Sequence, residues 1–362
     1  MSEAIAGPGG GYGVLTRLIA DSAGVRRRFN TLTQQAGSGL ISSTYAGLGG
    51  GGAASLSLRP RITALKTWRD NINAAAGKAQ VTQVAMTRVQ GIAADLVARL
   101  TGLNGINLST VDAMAANARA ALTEMGHLLN SQYAGAHVFA GEDTANPPVP
   151  SPEQLTRSGF FTQIAAAVGT LSTAGAAAAA AATLAAAGSN AAGTSPFSDF
   201  LSRPAGTFAP PAVATGEGRS ETVGLLASAN TSVPSTGGST TGSYMRDLMR
   251  ALATVGSLNS GQMNDPGFAA LVADTRDSVS GAVSAMAADA GVLGEKQSTL
   301  KAEQTRLEDM TTVLSARVSE AEDVDMAATL SELSLTQTRL QASYQLISAA
   351  NGLSLMKFLS GG

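Results

Sequence analysis

MAATLSELSLTQTRLQASYQLISAANGLSLMKFL, residues 326–359, is the stretch from which the fold is read. Met326, Leu330, Leu333, Gln337, Leu340, Tyr344, Ile347, Asn351, Ser354 and Phe358 recur at alternating steps of four and three. That spacing lines one face of a helix. Four heptads make a rod of roughly 50 Å at ~1.5 Å per residue. Charges are scarce all round it: Glu332, Arg339 and Lys357 only. A solvated helix face normally carries Lys and Glu. Leu335, Leu346, Leu353, Leu355 and Met356 add apolar surface off the stripe. Such a helix is built for enclosure, and a chain end rarely finds enclosure within its own monomer. The reading is burial by other subunits.

Upstream the same period continues. Val272, Val279, Val283, Met286, Leu293, Leu300, Leu307, Leu314 and Val318 hold one register, with Gln297, Gln304 and Thr311 at core positions. A strict 3.5 repeat implies a left-handed supercoil, and the polar core positions fix register and partner. Asp265-Pro266 reads as the N-cap pair of this rod, and Glu322-Asp323-Val324-Asp325 breaks it. At the other end of the chain, Val14, Leu18, Val25, Phe29 and Leu32 give a first stripe. A glycine-rich loop, Gly47 to Gly52, follows, and Pro60 is placed to open the next helix. That helix carries Leu65, Trp68, Ile72, Met86, Val89, Leu96, Leu100 and Leu103, and the turn Leu103-Asn104-Gly105 ends it. Ser109 reads as the N-cap of a third stripe through Val111, Met114, Met125 and Leu128.

Between the rods the composition changes. Residues 142–243 hold nine charged residues and are dominated by Ala, Gly, Ser, Thr and Pro. The domain reading is therefore a disordered tail over 1–13, an N-terminal helical part over 14–141 and an inserted variable domain over 142–243. A C-terminal helical part spans 244–322, and a terminal assembly helix 323–362. The fold class is mainly α: a long antiparallel helical bundle or coiled coil of the N- and C-terminal regions, with a small loop-rich, β-containing insert.

The totals exclude several functions. Charged residues are 14% of 362 and aromatic residues 4%, which favours slim helices packed through Ala, Leu and Val. A net charge of −2 and a pI near 5.8 give no electrostatic case for nucleic acid. The Arg26-Arg27-Arg28 triplet reads as a solvated or paired face. Cysteine is absent, which removes disulfides and thiolate metal sites. No cleavable signal peptide and no membrane span are read, the Ala tract near 174–187 being too weakly apolar. His127 and His137 read as structural or surface residues. Gly49 to Gly52 lacks the Lys-Ser/Thr and the strand of a phosphate loop. The Glu322, Asp323 and Asp325 trio reads as the first turn of the last helix, where its dipole favours acids. No enzyme and no cofactor are expected.

Here residues meet a family. Leu314-Ser315-Ala316-Arg317-Val318-Ser319-Glu320-Ala321-Glu322-Asp323-Val324-Asp325 resembles the stretch of bacterial flagellins in which a Ser-Ala-Arg run leads to an acidic turn and the terminal helix. Leu293-Gly294-Glu295-Lys296-Gln297 and Ser38-Gly39-Leu40 are similar to family segments upstream of it and near the start. Gly135-Ala136-His137-Val138-Phe139-Ala140-Gly141 and the ending Leu353-Ser354-Leu355-Met356-Lys357-Phe358-Leu359 are most similar to members at the hook–filament junction. The resemblance covers 14–141 and 245–359. The glycine-rich first loop, the glycine-rich tail and residues 360–362 depart from the family pattern.

The resemblance implies an extracellular structural subunit of the bacterial flagellum, exported unfolded. Its implied partners are copies of itself, hook-associated proteins, flagellin and an export chaperone. The assembly interface would combine Val14, Leu18, Val25, Phe29 and Leu32 with Leu330, Leu333, Leu340, Tyr344, Ile347, Leu353, Leu355 and Phe358. A filament-forming flagellin, or a coiled-coil adhesin or scaffold outside the flagellum, stay open as alternatives.

Overall fold

A computed structural model describes residues 10–102, 108–204, 207 and 210–359, with side chains described for 16–102, 110–204, 207 and 210–352. The described chain is mainly α. Its helices are α1 (Gly10–Ser38), α2 (Gly50–Thr101), α3 (Leu108–Leu129), α4 (Gly159–Gly169), α5 (Leu171–Gly188), α6 (Tyr244–Ser257), α7 (Phe268–Glu322) and α8 (Met326–Leu359). Two antiparallel hairpins complete it, β1 (Gln132–Tyr133) with β2 (Ala136–His137) and β3 (Ala212–Gly216) with β4 (Arg219–Thr222). Two compact units result: residues 66–308 form one, and residues up to 65 with those from 309 onward form the other.

Helix boundaries depart from the sequence reading in informative places. The first helix begins at Gly10, and residues 1–9 lie outside the described residues. The second begins at Gly50, with Pro60 inside it. Preference for proline in a first turn is overridden by packing upstream. A Cβ on Gly52 would lie 2.3 Å from the Tyr45 carbonyl oxygen, and one on Gly51 2.8 Å from that of Ala321. Only glycine admits those approaches, and the helix is extended back to meet them. Asp265-Pro266 stands two residues before α7, where Phe268 N–H bonds Asp265 O at 2.9 Å. Ser109 falls inside α3, and Leu103-Asn104-Gly105 lies outside the described residues.

In the 66–308 unit α6 is enclosed on every side, with Tyr244 through Gly256 all buried. It packs on α3, α4 and α5. The insert therefore holds two helices as well as a hairpin and long loops. By length and composition α5 is apolar enough to cross a membrane, contrary to the reading of the Ala tract. Here it is broken at Gly175 (φ 82°) and buries Leu171, Ala179, Ala180, Thr183, Ala186 and Ala187. Enclosing α6 also buries charge. Asp289 accepts from Thr231 N, Ser232 N and the Tyr244 hydroxyl at 2.9, 2.7 and 2.9 Å. Burial first, and then Asp289, push the Tyr244 phenol far above its ordinary value. Arg250 donates to Ser239 O at 2.7 Å and lies 3.7 Å from Asp274.

The link from α3 into the insert is a tight hairpin. Ala134 (φ 50°) and Gly135 (φ 80°) take the two left-handed central positions of a two-residue turn. His137 is buried and bonds Gln132 and the Asn130 carbonyl, and His127 pairs with Glu153 at 2.7 Å, so both histidines have structural partners.

Candidate assembly surface

The unit containing both ends of the chain pairs α1 with α8. Their contacts run in opposite order: Leu40 bridges Asp323, the Arg28 guanidinium bonds Glu332 through Nη2 at 2.8 Å, and Ser343 Oγ meets Ser22 Oγ at 3.4 Å. The helices are therefore antiparallel. The arginine triplet is a paired face at Arg28, as its composition implied.

A 4-3 rhythm sets the seam on both helices. On α1 the less exposed positions include Leu18, Ser22, Val25, Phe29, Leu32 and Ala36 at that spacing, with Leu32 at 1% exposure, and Ala23, Gly24 and Gln35 beside them. On α8 they are Thr329, Leu333, Thr336, Leu340, Ser343, Ile347 and Ala350. Every second α8 position is thus a hydroxyl residue or alanine. Such a seam buries little apolar area and holds register more than it stabilises.

The stripe read from sequence is consequently divided. Leu333, Leu340 and Ile347 are half-buried on α1's side, as are Leu18, Val25 and Phe29 of the partner helix. Met326, Leu330 and Tyr344 lie one position round the helix and are 40%, 50% and 48% exposed. Leu335 and Leu346, on the far side, are 51% and 59% exposed. The physical reason is width. A stripe spanning more than about 100° cannot be covered by one neighbouring helix. Among the described residues, every exposed large apolar side chain except Val84 and Val233 belongs to this unit. Val14, Leu353, Leu355 and Phe358 fall outside the residues whose side chains are described.

The break between α7 and α8 is a built joint that sequence reasoning missed. Ile41 N–H bonds Glu322 O at 2.7 Å and Val324 N–H bonds Gly39 O at 3.0 Å, with Gly39 at φ 72°. The Glu322 carboxylate is nearly closed from solvent and receives Ser55 Oγ and both Nε (2.9 Å) and Nη2 of Arg59. Hydrogen bonds from Arg59 and then Ser55 hold Glu322 below the usual carboxylate range, against burial. The acidic trio has three separate tasks. Glu322 closes α7, Asp323 accepts from Ser319, and Asp325 caps α8 by accepting Ala328 N–H at 3.0 Å. None of the three lies in the first turn of the last helix, and only Asp325, the residue just before it, serves that helix's N-terminus.

Ser315, Ala316 and Arg317, which lead into this joint, are exposed on α7. Residues 277–359 match the family model for the bacterial flagellin C-terminal helical region. The match takes in most of α7, the joint and α8, so this part of the chain is similar to the C-terminal helical region of bacterial flagellins. No curated protein matches the chain.

Proposed function

We propose that this chain is a structural subunit of the bacterial flagellum that polymerises through α1 and α8 and sits at the hook–filament junction, as the hook-filament junction protein (hook-associated protein 3) does. One observation carries the polymer reading. Within the flagellin-like region, α8 leaves Met326, Leu330 and Tyr344 exposed on one side of its seam, and Leu335 and Leu346 on the other. Exposed large apolar side chains concentrated on one helix mark association. One helix exposed on two sides fits a crowded helical polymer better than a simple dimer.

The junction assignment is supported by sequence. Gly135 to Gly141 turns from the helical region into the insert, and Leu353 to Leu359 has the junction-type ending. As a flagellar subunit the protein is extracellular, its partners are hook-associated proteins and flagellin, and an export chaperone covers its apolar α8 before assembly. Labelled protein on intact flagella tests the reading. A single focus at the hook–filament boundary is expected. Label along the whole filament would replace the junction role with that of a filament subunit, and label absent from flagella would end the flagellar reading.

A further inference from the structure

The 66–308 unit contains a cleft of about 400 Å³ far in sequence from the assembly helices. Among the described residues its only charged lining side chains are Arg203 and Arg246, and no carboxylate lines it. Arg246 is 7% exposed, and all of its hydrogen bonds go to neutral groups. Nε donates to Ser228 O at 3.2 Å, Nη1 to Ala187 O at 2.9 Å and Nη2 to Asn190 Oδ1 at 2.7 Å. Nη1 also reaches Ser189 O at 3.4 Å, and the ring of Phe197 lies 5.0 Å from the guanidinium carbon. A guanidinium has five N–H donors, so one Nη2 hydrogen is left over. A buried cation with no acid against it is costly. Burial lowers its pKa, offset only in part by Asp247.

Arg203 stands at the cleft edge with its guanidinium 4.2 Å above the Phe200 ring, and among the described residues that guanidinium has no ion pair or hydrogen bond. Ser228 is 6% exposed, and its Oγ has no hydrogen-bond partner. A buried, unmatched hydroxyl beside two unmatched cationic groups requires an explanation.

We propose that this cleft binds a small hydroxylated carboxylate of the sugar-acid class, its carboxylate between Arg203 and Arg246 and its hydroxyls on Ser228, Thr231, Ser232 and the Asn190 amide. Carboxylate is favoured over phosphate by what the backbone offers. Phosphate sites lean on free backbone N–H groups. Here Thr231 N and Ser232 N donate to Asp289, and Thr241 N donates to Asp247 at 2.7 Å. Gly242 N and Ser243 N are likewise taken by the Thr240 and Thr241 hydroxyls, so the charged donors of the cleft are the two guanidinium forks, which with the hydroxyls beside them suit a planar anion carrying hydroxyl groups.

Isothermal titration of the full chain with galacturonate, galactose, acetate and inorganic phosphate tests this. Galacturonate is expected to bind at roughly millimolar or tighter, and galactose, acetate and phosphate at least tenfold more weakly. Arg203→Gln, at an exposed position, should weaken galacturonate about tenfold, ~1.4 kcal/mol, with an unchanged melting curve. Ser228→Ala should weaken it a few-fold. Failure of galacturonate to bind, or equal binding by Arg203→Gln, overturns the site. Phosphate or acetate binding as tightly as galacturonate overturns the ligand class.

Discussion

Arg59 and Glu322 are 263 positions apart in sequence, and the guanidinium of one closes on the carboxylate of the other with Nε 2.9 Å from Oε1. The pair ties Arg59, within α2, to the last residue of α7, at the joint that leads into α8. The carboxylate is held below its ordinary range, chiefly by the hydrogen bond from Arg59 and next by that from Ser55.

A depressed carboxylate stabilises the fold above its unfolded pKa, and that stability is lost as pH falls through the folded value. Glu322→Gln should therefore melt below the parent protein at neutral pH, and the gap should close on acidification below about pH 4. Thermal melts of both proteins across pH check this. A gap that persists unchanged into acid would mean that Glu322 acts through shape and not charge.

Two glycines of α7 should respond to alanine with opposite signs. A Cβ on Gly281 would lie 2.0 Å from the Thr236 carbonyl oxygen, whereas one on Gly291 meets nothing within 4 Å. Gly291→Ala should stabilise by about 1 kcal/mol through helix propensity. Gly281→Ala should destabilise by roughly 1–3 kcal/mol, because backbone must move. Urea denaturation of the two variants reads both signs.

The hydroxyl seam gives a third expectation. Thr336 is 6% exposed, and among the described residues none of the hydrogen bonds between α1 and α8 involves its hydroxyl. Thr336→Val should stabilise the pair by ~1 kcal/mol, slowing amide exchange along α1 and α8 about fivefold. Unchanged exchange would show that the helices already separate by another route.

The heptad rods were legible because period alone reports them: α2, α7 and α8 follow the stripes at Ile72, Leu300 and Leu340. The pairing of the terminal regions is read from long helices at both ends of the sequence around a soft insert, and from the family resemblance. What sequence could not supply was direction around the helix. Leu330 and Leu333 satisfy the same spacing, and only the position of α1 separates the exposed one from the covered one. Nor could it show Arg59 finding Glu322, since no local rule links residues that distant. Helix α6 was legible as a helix but not as a buried one. Arg246, Asp247 and Arg250 carry charge into a buried helix, and only the folded loops show what meets it: Thr240 and Thr241 at Asp247, the Ser228 carbonyl at Arg246 and the Ser239 carbonyl at Arg250.

The division of the α8 stripe makes the last prediction, and it changes which residues test assembly. Leu340 and Ile347 lie on the seam with α1, whereas Leu330 and Tyr344 are 50% and 48% exposed. A carboxylate at Leu330 or Tyr344 stays in water in the isolated protein, so Leu330→Asp and Tyr344→Asp should leave stability within about 0.5 kcal/mol. Leu340→Asp and Ile347→Asp must either bury charge or open the pair, costing roughly 2 kcal/mol or more from α1–α8 stability. In a polymer that covers the exposed flank, the first two variants should fail to incorporate although their monomers are intact. Amide exchange of each purified variant, beside its incorporation into flagella of cells lacking the native protein, separates these outcomes. Normal incorporation of Leu330→Asp and Tyr344→Asp would remove the exposed flank as the assembly surface. Equal destabilisation of all four monomers would mean that α8 is covered within a single chain.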